Sequence, residues 1–561
     1  MKKKVFALAA LAFLLAGCAK SSNGDVQSAA EVRSGSEAQS EVSENALTEE
    51  ELSEFTELFN TAKYNGFLDS GFNSPKDIEW DDVFQYGAGI NTKNISDEEE
   101  KAYLDEIHHD QLYETLIAIK KTDMMGFIEK HAGYEYAPDK DDLDTWEPAE
   151  YNEWVYLEKY DSYYFENYYY NSYWNCRCIY GEKEGNVYTL KVRMDTDPEH
   201  RRSNNTGKNY GRYADRVLKV TKENDELVMM SNEIQWDDLC VKEKTFDVDM
   251  PQFDSTLRFY TYNVDPDEAE IEIVKDGKHF DMLVNSVSSS MGLKYLTSID
   301  DIGFFDFNAD GFQDIAVLGN SFIGEKVILH EYDDTANGFN ENAELDEENT
   351  PELKGNLTIA GVKKYLLGDN ENAVYSNYKE VYAQMAKVYH IADDSYKFDL
   401  VYIDDDDIPE LVVDCGGCLS LFAYEDGYIH RLMDGWGYGA FGNYGYSYAE
   451  RKGIFFNENS DYAGAIHYTT VMSKRDKGEI ATDYYVKFIN FNDLDGNGEP
   501  SEEELEAEGG GTVEYYNGAG EQISEKEYEK LASKDGSICD SKDLGAHMDY
   551  DTLLTELEKL K

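Results

Sequence analysis

Carboxylates at alternating positions are the residues of this chain best placed to do chemistry. In Asp306-Phe307-Asn308-Ala309-Asp310-Gly311-Phe312-Gln313-Asp314, oxygen donors fall at positions 1, 3, 5 and 9, with glycine at position 6. Alternation lets a tight turn aim its side chains at one point, and glycine permits the sharp bend. An all-oxygen set suits a hard divalent cation, so calcium is expected, with Asp306, Asn308, Asp310, Phe312 and Asp314 as its site. The competing reading is an acidic turn without metal. Ile302 to Phe305 before the loop and Ile315 to Leu318 after it read as strands.

A second loop runs from Asp493 to Glu504. Donors stand at positions 1, 3, 5, 9 and 12 (Asp493, Asp495, Asn497, Ser501, Glu504), with Gly498 at position 6; Glu499 at position 7 is counted with the site. That is EF-hand arithmetic. Pro500 departs from it at position 8, and the entering segment, Tyr484 to Phe491, reads as a strand. Ser501 to Glu504 is also a capping-box pattern, which would turn Glu504 from metal ligand to helix cap. The third and weakest loop, with Asp404, Asp406 and Glu410, lies between Leu400-Val401-Tyr402 and Leu411-Val412-Val413. Tyr402 stands at its first donor position and Asp407 at its glycine position, and both weaken a site. The first loop resembles the strand-loop-strand calcium loops of integrin-like FG-GAP and VCBS repeats; the third is a worn version of it. Counted from Asp306, Tyr402 and Asp493, the loops start about 96 and 91 residues apart, wider than propeller blades with such loops. Two β modules sharing a loop style fit better than a complete propeller.

Other candidates carry less. Gly435 to Tyr448 interleaves glycine with Trp436, Tyr438, Phe441, Tyr444, Tyr446 and Tyr448. Exposed, Trp436, Tyr438, Phe441 and Tyr444 could stack on sugar rings or aromatic peptides; buried, they are β core with tight turns. The tyrosine cluster from Tyr160 to Trp174 invites the same two readings. Cys415-Gly416-Gly417-Cys418 has CxxC spacing without a second CxxC, and its glycines read as a turn after a strand. His108 and His109 are adjacent, so a helix would not point both at one metal. HExxH, GxSxG and P-loop patterns are missing. A hydrolytic acid pair could hide among so many carboxylates, leaving a calcium-dependent hydrolase of polysaccharide or peptide as the alternative.

The start of the chain gives an address. Lys2, Lys3 and Lys4 precede an apolar run from Val5 to Leu15, then Ala16-Gly17-Cys18. A basic start, a short apolar core and small residues before the cut form a secretory signal. Ala-Gly-Cys resembles the lipobox of bacterial lipoproteins, which implies cleavage after Gly17, diacylglycerol on Cys18 and membrane attachment on the extracytoplasmic face. Ala19 to Ala46 has no aromatic residue and no proline and reads as a tether spanning about 30 Å root-mean-square.

Composition agrees with export and argues against nucleic acid. The net charge is -64, or about -67 once the three signal lysines are gone, with no basic patch. Hydrophobic residues make up 41% of the 561, enough for packed cores. The expected class is α+β and multidomain: a helical-then-β domain from 47 to 260, a β module from 261 to 352, and an α+β module from 353 to 561. Helices are expected at Thr48 onward, at Ser96 through Leu104, Ile107, Leu112, Leu116 and Ile119, at Met124 to Ile128, from Asn377, after Ser524 and through Leu553 to Leu560. Strands include Val187 to Val192, Leu227 to Met230 and the Asp276-Gly277 hairpin, and 333 to 352 reads as an acidic loop. The segments Glu54 to Asn60, Asn65 to Leu68, Tyr156 to Tyr164, Ile302 to Val317 and Gly435 to Gly442 resemble an uncharacterised family of exported lipoproteins of Firmicute gut bacteria. That resemblance implies location and calcium loops, and no activity.

Overall fold

The computed structural model describes residues 45–560 except 108–110, 113, 139–142, 144–153, 168–174, 195–213, 224–225, 266, 284, 289–293, 335, 371, 426, 441, 476–479, 495–499, 502–503, 506–510 and 536–540. Cys18, the expected signal and tether, His108, His109, Phe441, Asp495, Asn497 and Glu499 lie outside the described residues. Strand exceeds helix, 44% to 24%, so the α+β class holds with β dominant.

Local chemistry sets the first helix, Glu49–Phe59. The Thr48 hydroxyl accepts from the Glu51 amide at 3.3 Å, and Glu51 accepts from the Thr48 amide at 2.8 Å. Its buried face, Phe55 and Phe59, lies on the first antiparallel meander: Cys176–Glu184, Val187–Met194, Asp215–Glu223 and Glu226–Gln235. The next expected helix is shorter than its pattern. It runs Asp97–Ile107, and Leu116 and Ile119 belong instead to a strand, Thr115–Lys120, paired with Ser162–Asn167. Leu116 to Ile119 is buried on both faces, Ile117 and Ile119 in one core and Leu116 and Ala118 in another. A strand between two cores explains why the apolar residues there are continuous. The helix expected at Met124 to Ile128 extends over Lys121–Ala132 and stops at Gly133 in the left-handed region.

The second meander is Phe246–Val248, Leu257–Asp265, Glu268–Lys275 and Lys278–Leu283, and so straddles residue 260. The third is Ser286–Val287, Lys294–Phe305, Asp314–Ser321, Gly324–Asp333 and Gly338–Leu345. Its last strand falls where an acidic loop was expected. Phe339, Ala343 and Leu345 are buried there, and a few buried side chains outweigh the acidic composition. The second and third meanders share one core through Phe259, Ile271, Ile273, Leu296, Ile315 and Val317. The third packs its other face on Ile359–Leu367, a helix capped by Thr358 that periodicity alone did not disclose, and on Val388 of Tyr378–Ala392.

Tyr378–Ala392 also presents Val381, Tyr382, Met385 and Ala386 to the fourth meander, Lys397–Val401, Glu410–Asp414, Cys418–Glu425 and Tyr428–Gly437. The C-terminal helix Tyr550–Lys559 buries Leu553 and Leu557 in the same core. A seven-stranded sheet, built on Asn443–Ala449, Ile454–Asp461, Ile466–Lys474 and Ile480–Ile489, packs against the fourth meander. Cys415 and Cys418 form a disulfide across the turn between Glu410–Asp414 and Cys418–Glu425, so this CxxC closes a hairpin.

One buried base makes the third meander acid-sensitive. Burial pushes His330 down to about 3, and its Nε2 lies 3.0 Å from Asn285 Oδ1. The folded chain keeps it neutral while the unfolded chain binds a proton below about pH 6.5. The corresponding stability is complete above the unfolded value and falls as pH drops from there toward the folded value. Between pH 7 and pH 5 this group is expected to remove about 2 kcal/mol. Urea unfolding at both pH values checks it: His330→Gln should lose about 2 kcal/mol less than the parent, and equal losses would contradict the assignment.

Candidate functional site

The loop between Lys294–Phe305 and Asp314–Ser321 folds around its own carboxylates. Asp306 accepts from the Ala309 amide at 2.6 Å and the Gly311 amide at 3.0 Å. Asn308 Oδ1 accepts from the Asp310 amide at 3.1 Å, and Asp310 Oδ1 from the Phe312 amide at 2.9 Å. Asp314, fully buried, accepts from Phe307 at 2.9 Å and Tyr332 at 3.0 Å. Ala309 and Gly311 both have positive φ (68° and 93°), the second being the bend for which glycine was expected. Gln384 of Tyr378–Ala392 donates to the Phe307 carbonyl at 2.6 Å, and Gln252 Nε2 donates to the Gln313 carbonyl at 2.8 Å, so the loop is held from two sides.

Its electrostatics are one-sided. Burial pushes Asp306 up to about 6. Burial, then Asp306 and Glu331, push Asp310 up to about 8. Asp314 is raised well above the carboxylate range by burial, Asp310 and Asp306. Among the described residues no Lys, Arg or His offsets any of the three. Tyr375, which no motif marked, has a buried hydroxyl without a hydrogen-bond partner. Its phenol is pushed upward by burial and then by Asp306 and Asp314.

The third loop repeats the first. Val401 pairs with Glu410 as Phe305 pairs with Asp314, and the register stays offset by 96 residues (305 to 401, 314 to 410) into both strands. Ile403 donates to Glu410 at 2.7 Å, Asp406 to Asp404 at 3.1 Å and Ile408 to Asp406 at 2.7 Å, matching three bonds of the first loop. The charge balance differs. Lys474 Nζ lies 2.7 Å from Asp404 Oδ2 and also contacts Glu425. Burial pushes Asp404 up, but Lys474 outweighs it and holds the carboxyl low. Burial raises Asp406, and Glu410 to about 7. Arg451 lies over the Tyr402 ring at 4.5 Å and donates to the Asp406 carbonyl at 2.6 Å. An ammonium and a guanidinium thus attend this loop.

In the second loop Glu504 is buried and acts as a cap. It accepts from the Ser501 amide at 2.9 Å and hydroxyl at 2.7 Å, and from the Leu494 amide at 2.7 Å. Asp493 and Ser501 are described; Asp495, Asn497 and Glu499 are not. Among the described residues, no group of three or more His, Cys, Asp and Glu side chains is arranged to hold a metal ion.

The glycine-aromatic segment divides. Tyr446 and Tyr448 are core, and Trp436 packs against Tyr446 at 5.4 Å. Tyr438 donates to both oxygens of Asp414 at 2.8 Å; burial and then Asp414 push its phenol up to about 12. Of the three described candidates, Trp436, Tyr438 and Tyr444, Tyr444 alone stands out, 63% exposed, with its ring stacked 6.3 Å from His467. The segment is therefore mainly structural.

No family model matches the chain, and no curated protein matches it. Among solved structures it aligns with a fructofuranosidase variant from Schwanniomyces occidentalis complexed with fructosylnystose. Identity is 12%, the alignment covers 59% of this chain and 58% of that one, and the TM-score is 0.12. So low a score carries no argument about fold or activity.

Proposed function

We propose that this chain is a lipid-anchored, extracytoplasmic surface protein, stabilised by calcium at the 306–314 loop, that displays a ligand-binding module. The observation behind calcium is the charge imbalance. Three carboxylates crowd together with no cationic partner among the described residues, whereas the loop in the same register holds Lys474. Leaving such charges uncompensated is costly, and a hard cation would relieve it. Asp306, Asn308, Asp310, Asp314 and the Phe312 carbonyl are all oxygen donors, and the buried Tyr375 hydroxyl, which has no hydrogen-bond partner, is influenced by Asp306 and Asp314. The donor chemistry therefore fits calcium, which would supply charge neutralisation and tie the loop to both strands. Their oxygens now face the loop's own amides, so binding involves turning some of them. The Cys415–Cys418 disulfide supports an oxidising location, and the lipobox at Cys18 supports the anchor. No helix among the described residues is long and apolar enough to cross a membrane.

Thermal unfolding of the full chain tests this with millimolar calcium, magnesium or chelator. At about a hundredfold excess over Kd, calcium should add about 2.7 kcal/mol. Asp310→Asn should abolish that shift, and Asp493→Ala should leave most of it. Equal midpoints in calcium and chelator would refute the metal reading, as would a full shift in Asp310→Asn.

A further inference from the structure

We propose that the cleft between the first and second meanders binds a neutral oligosaccharide. The proposal builds on the ligand-display half of the function above and not on its calcium half. The cleft measures about 1220 Å³ and includes Trp80, Tyr134, Tyr136, Trp236 and Tyr260 in its walls. That volume exceeds what a single drug-sized ligand needs. One wall is the Phe72-to-Trp80 segment with Tyr134 and Tyr136; the other is the Asp276-Gly277 turn with Tyr260.

The aromatic rings are held in place. Trp236 Nε1 donates to the Gly277 carbonyl at 3.2 Å, and its ring stacks on Tyr260 at 6.2 Å. Trp80 Nε1 donates to the Tyr134 hydroxyl at 3.3 Å, and Tyr134 lies 6.0 Å from Tyr136. Lys278 on the hairpin reaches Glu79 on the opposite wall at 2.6 Å, tying the two walls together. Rings fixed before binding lose little freedom when a ligand arrives. Trp236, Tyr134 and Tyr136 remain half-exposed and present their surfaces to the cleft. A second cavity of about 520 Å³ shares Trp236, Tyr260, Asp276 and Gly277 with the first. The stacked Trp236–Tyr260 pair therefore borders two adjoining spaces, which suits a chain of several rings better than one ring.

Charge selects among ligands. Asp77, Glu79, Glu233, Asp237 and Asp276 line the larger cavity against two lysines, Lys76 and Lys278. That excess of acid disfavours phosphates and carboxylates. The same excess would attract a cation, so spermine is the control that matters most; Lys278 and Arg258 are already paired with Glu79 and Asp247. Asn73 and Gln235 add side-chain amides that both donate and accept. Flat rings with mixed donors and acceptors match the apolar faces and hydroxyls of uncharged sugars.

The test is calorimetric titration of the full chain, with calcium present, against cellohexaose, xylohexaose, mannohexaose, maltohexaose, laminarihexaose and an inulin-derived fructohexaose. Hexagalacturonate and spermine serve as charged controls. At least one neutral hexasaccharide should bind below about 1 mM, and Trp236→Ala should weaken it about tenfold or more. Tyr136→Ala, farther from the hairpin contact, is the second variant should Trp236→Ala misfold, and should weaken the same ligand. The proposal is overturned if no neutral hexasaccharide binds at about 5 mM, if only a charged control binds, or if binding is unchanged in a folded variant. A calcium shift without sugar binding sinks the cleft alone; sugar binding without a calcium shift supports the cleft and sinks the metal reading.

Discussion

Arg431→Ala should cost the protein about 3–5 kcal/mol, enough to abolish folding in many chains. The Arg431 side chain is 7% exposed, and its guanidinium lies 3.1 Å from Glu331 and 3.0 Å from Asp434. Glu331 belongs to the third meander and is 9% exposed, so this pair joins two sheets in a dry place. Truncation leaves a buried carboxylate without its cation and strips a guanidinium from the Phe422 ring, 5.5 Å away. The cost comes from the orphaned charge more than from lost attraction. A double variant, Glu331→Gln with Arg431→Met, should therefore recover most of the loss. Denaturant unfolding of the parent and these two variants decides the matter. A loss under about 1 kcal/mol for Arg431→Ala would mean that water reaches the pair after all.

Lys474→Met ranks next, at about 2–3 kcal/mol. Its ammonium separates Asp404 and Glu425, which are 27% and 35% exposed. These carboxylates keep some water, so the figure stays below that for a fully buried pair. Adding Asp404→Asn should restore about half, because one of the two facing charges is then gone. If the double variant is no more stable than Lys474→Met alone, repulsion is not the cause and packing of the lysine stem is.

What could be read from the sequence was local. Thr48 with Glu51 and Ser524 with Glu527 are capping boxes three residues wide, and both form. Asp276-Gly277 takes positive φ at both residues, as its hairpin demands. The alternating donors of the first loop bond its own amides, and the worn copy at Tyr402 and Asp407 stands in the same register. What escaped depended on distant partners. Leu116 and Ile119 fit a helix as well as a strand, and only the Ser162–Asn167 strand decides. Lys474 lies 70 residues from Asp404, and no local pattern couples them. Tyr375, just before the helix beginning at Tyr378, carries no local pattern that links it to the acids of the first loop that perturb it. The cleft is assembled from five separate stretches of chain, and of these only the Asp276-Gly277 turn carried a local signal.

The repeated loop divides the molecule in its dependence on its surroundings. In the fourth meander the neutralising charge is written into the gene as Lys474, always present at one per chain. In the third, three acids have no such partner among the described residues, and under the calcium proposal the medium would supply it. If the proposed calcium reading holds, drift in the divalent content of the surrounding fluid would act on one half and leave the other alone. The helix Tyr378–Ala392, packed on both, is the seam at which a softened half would meet a rigid one.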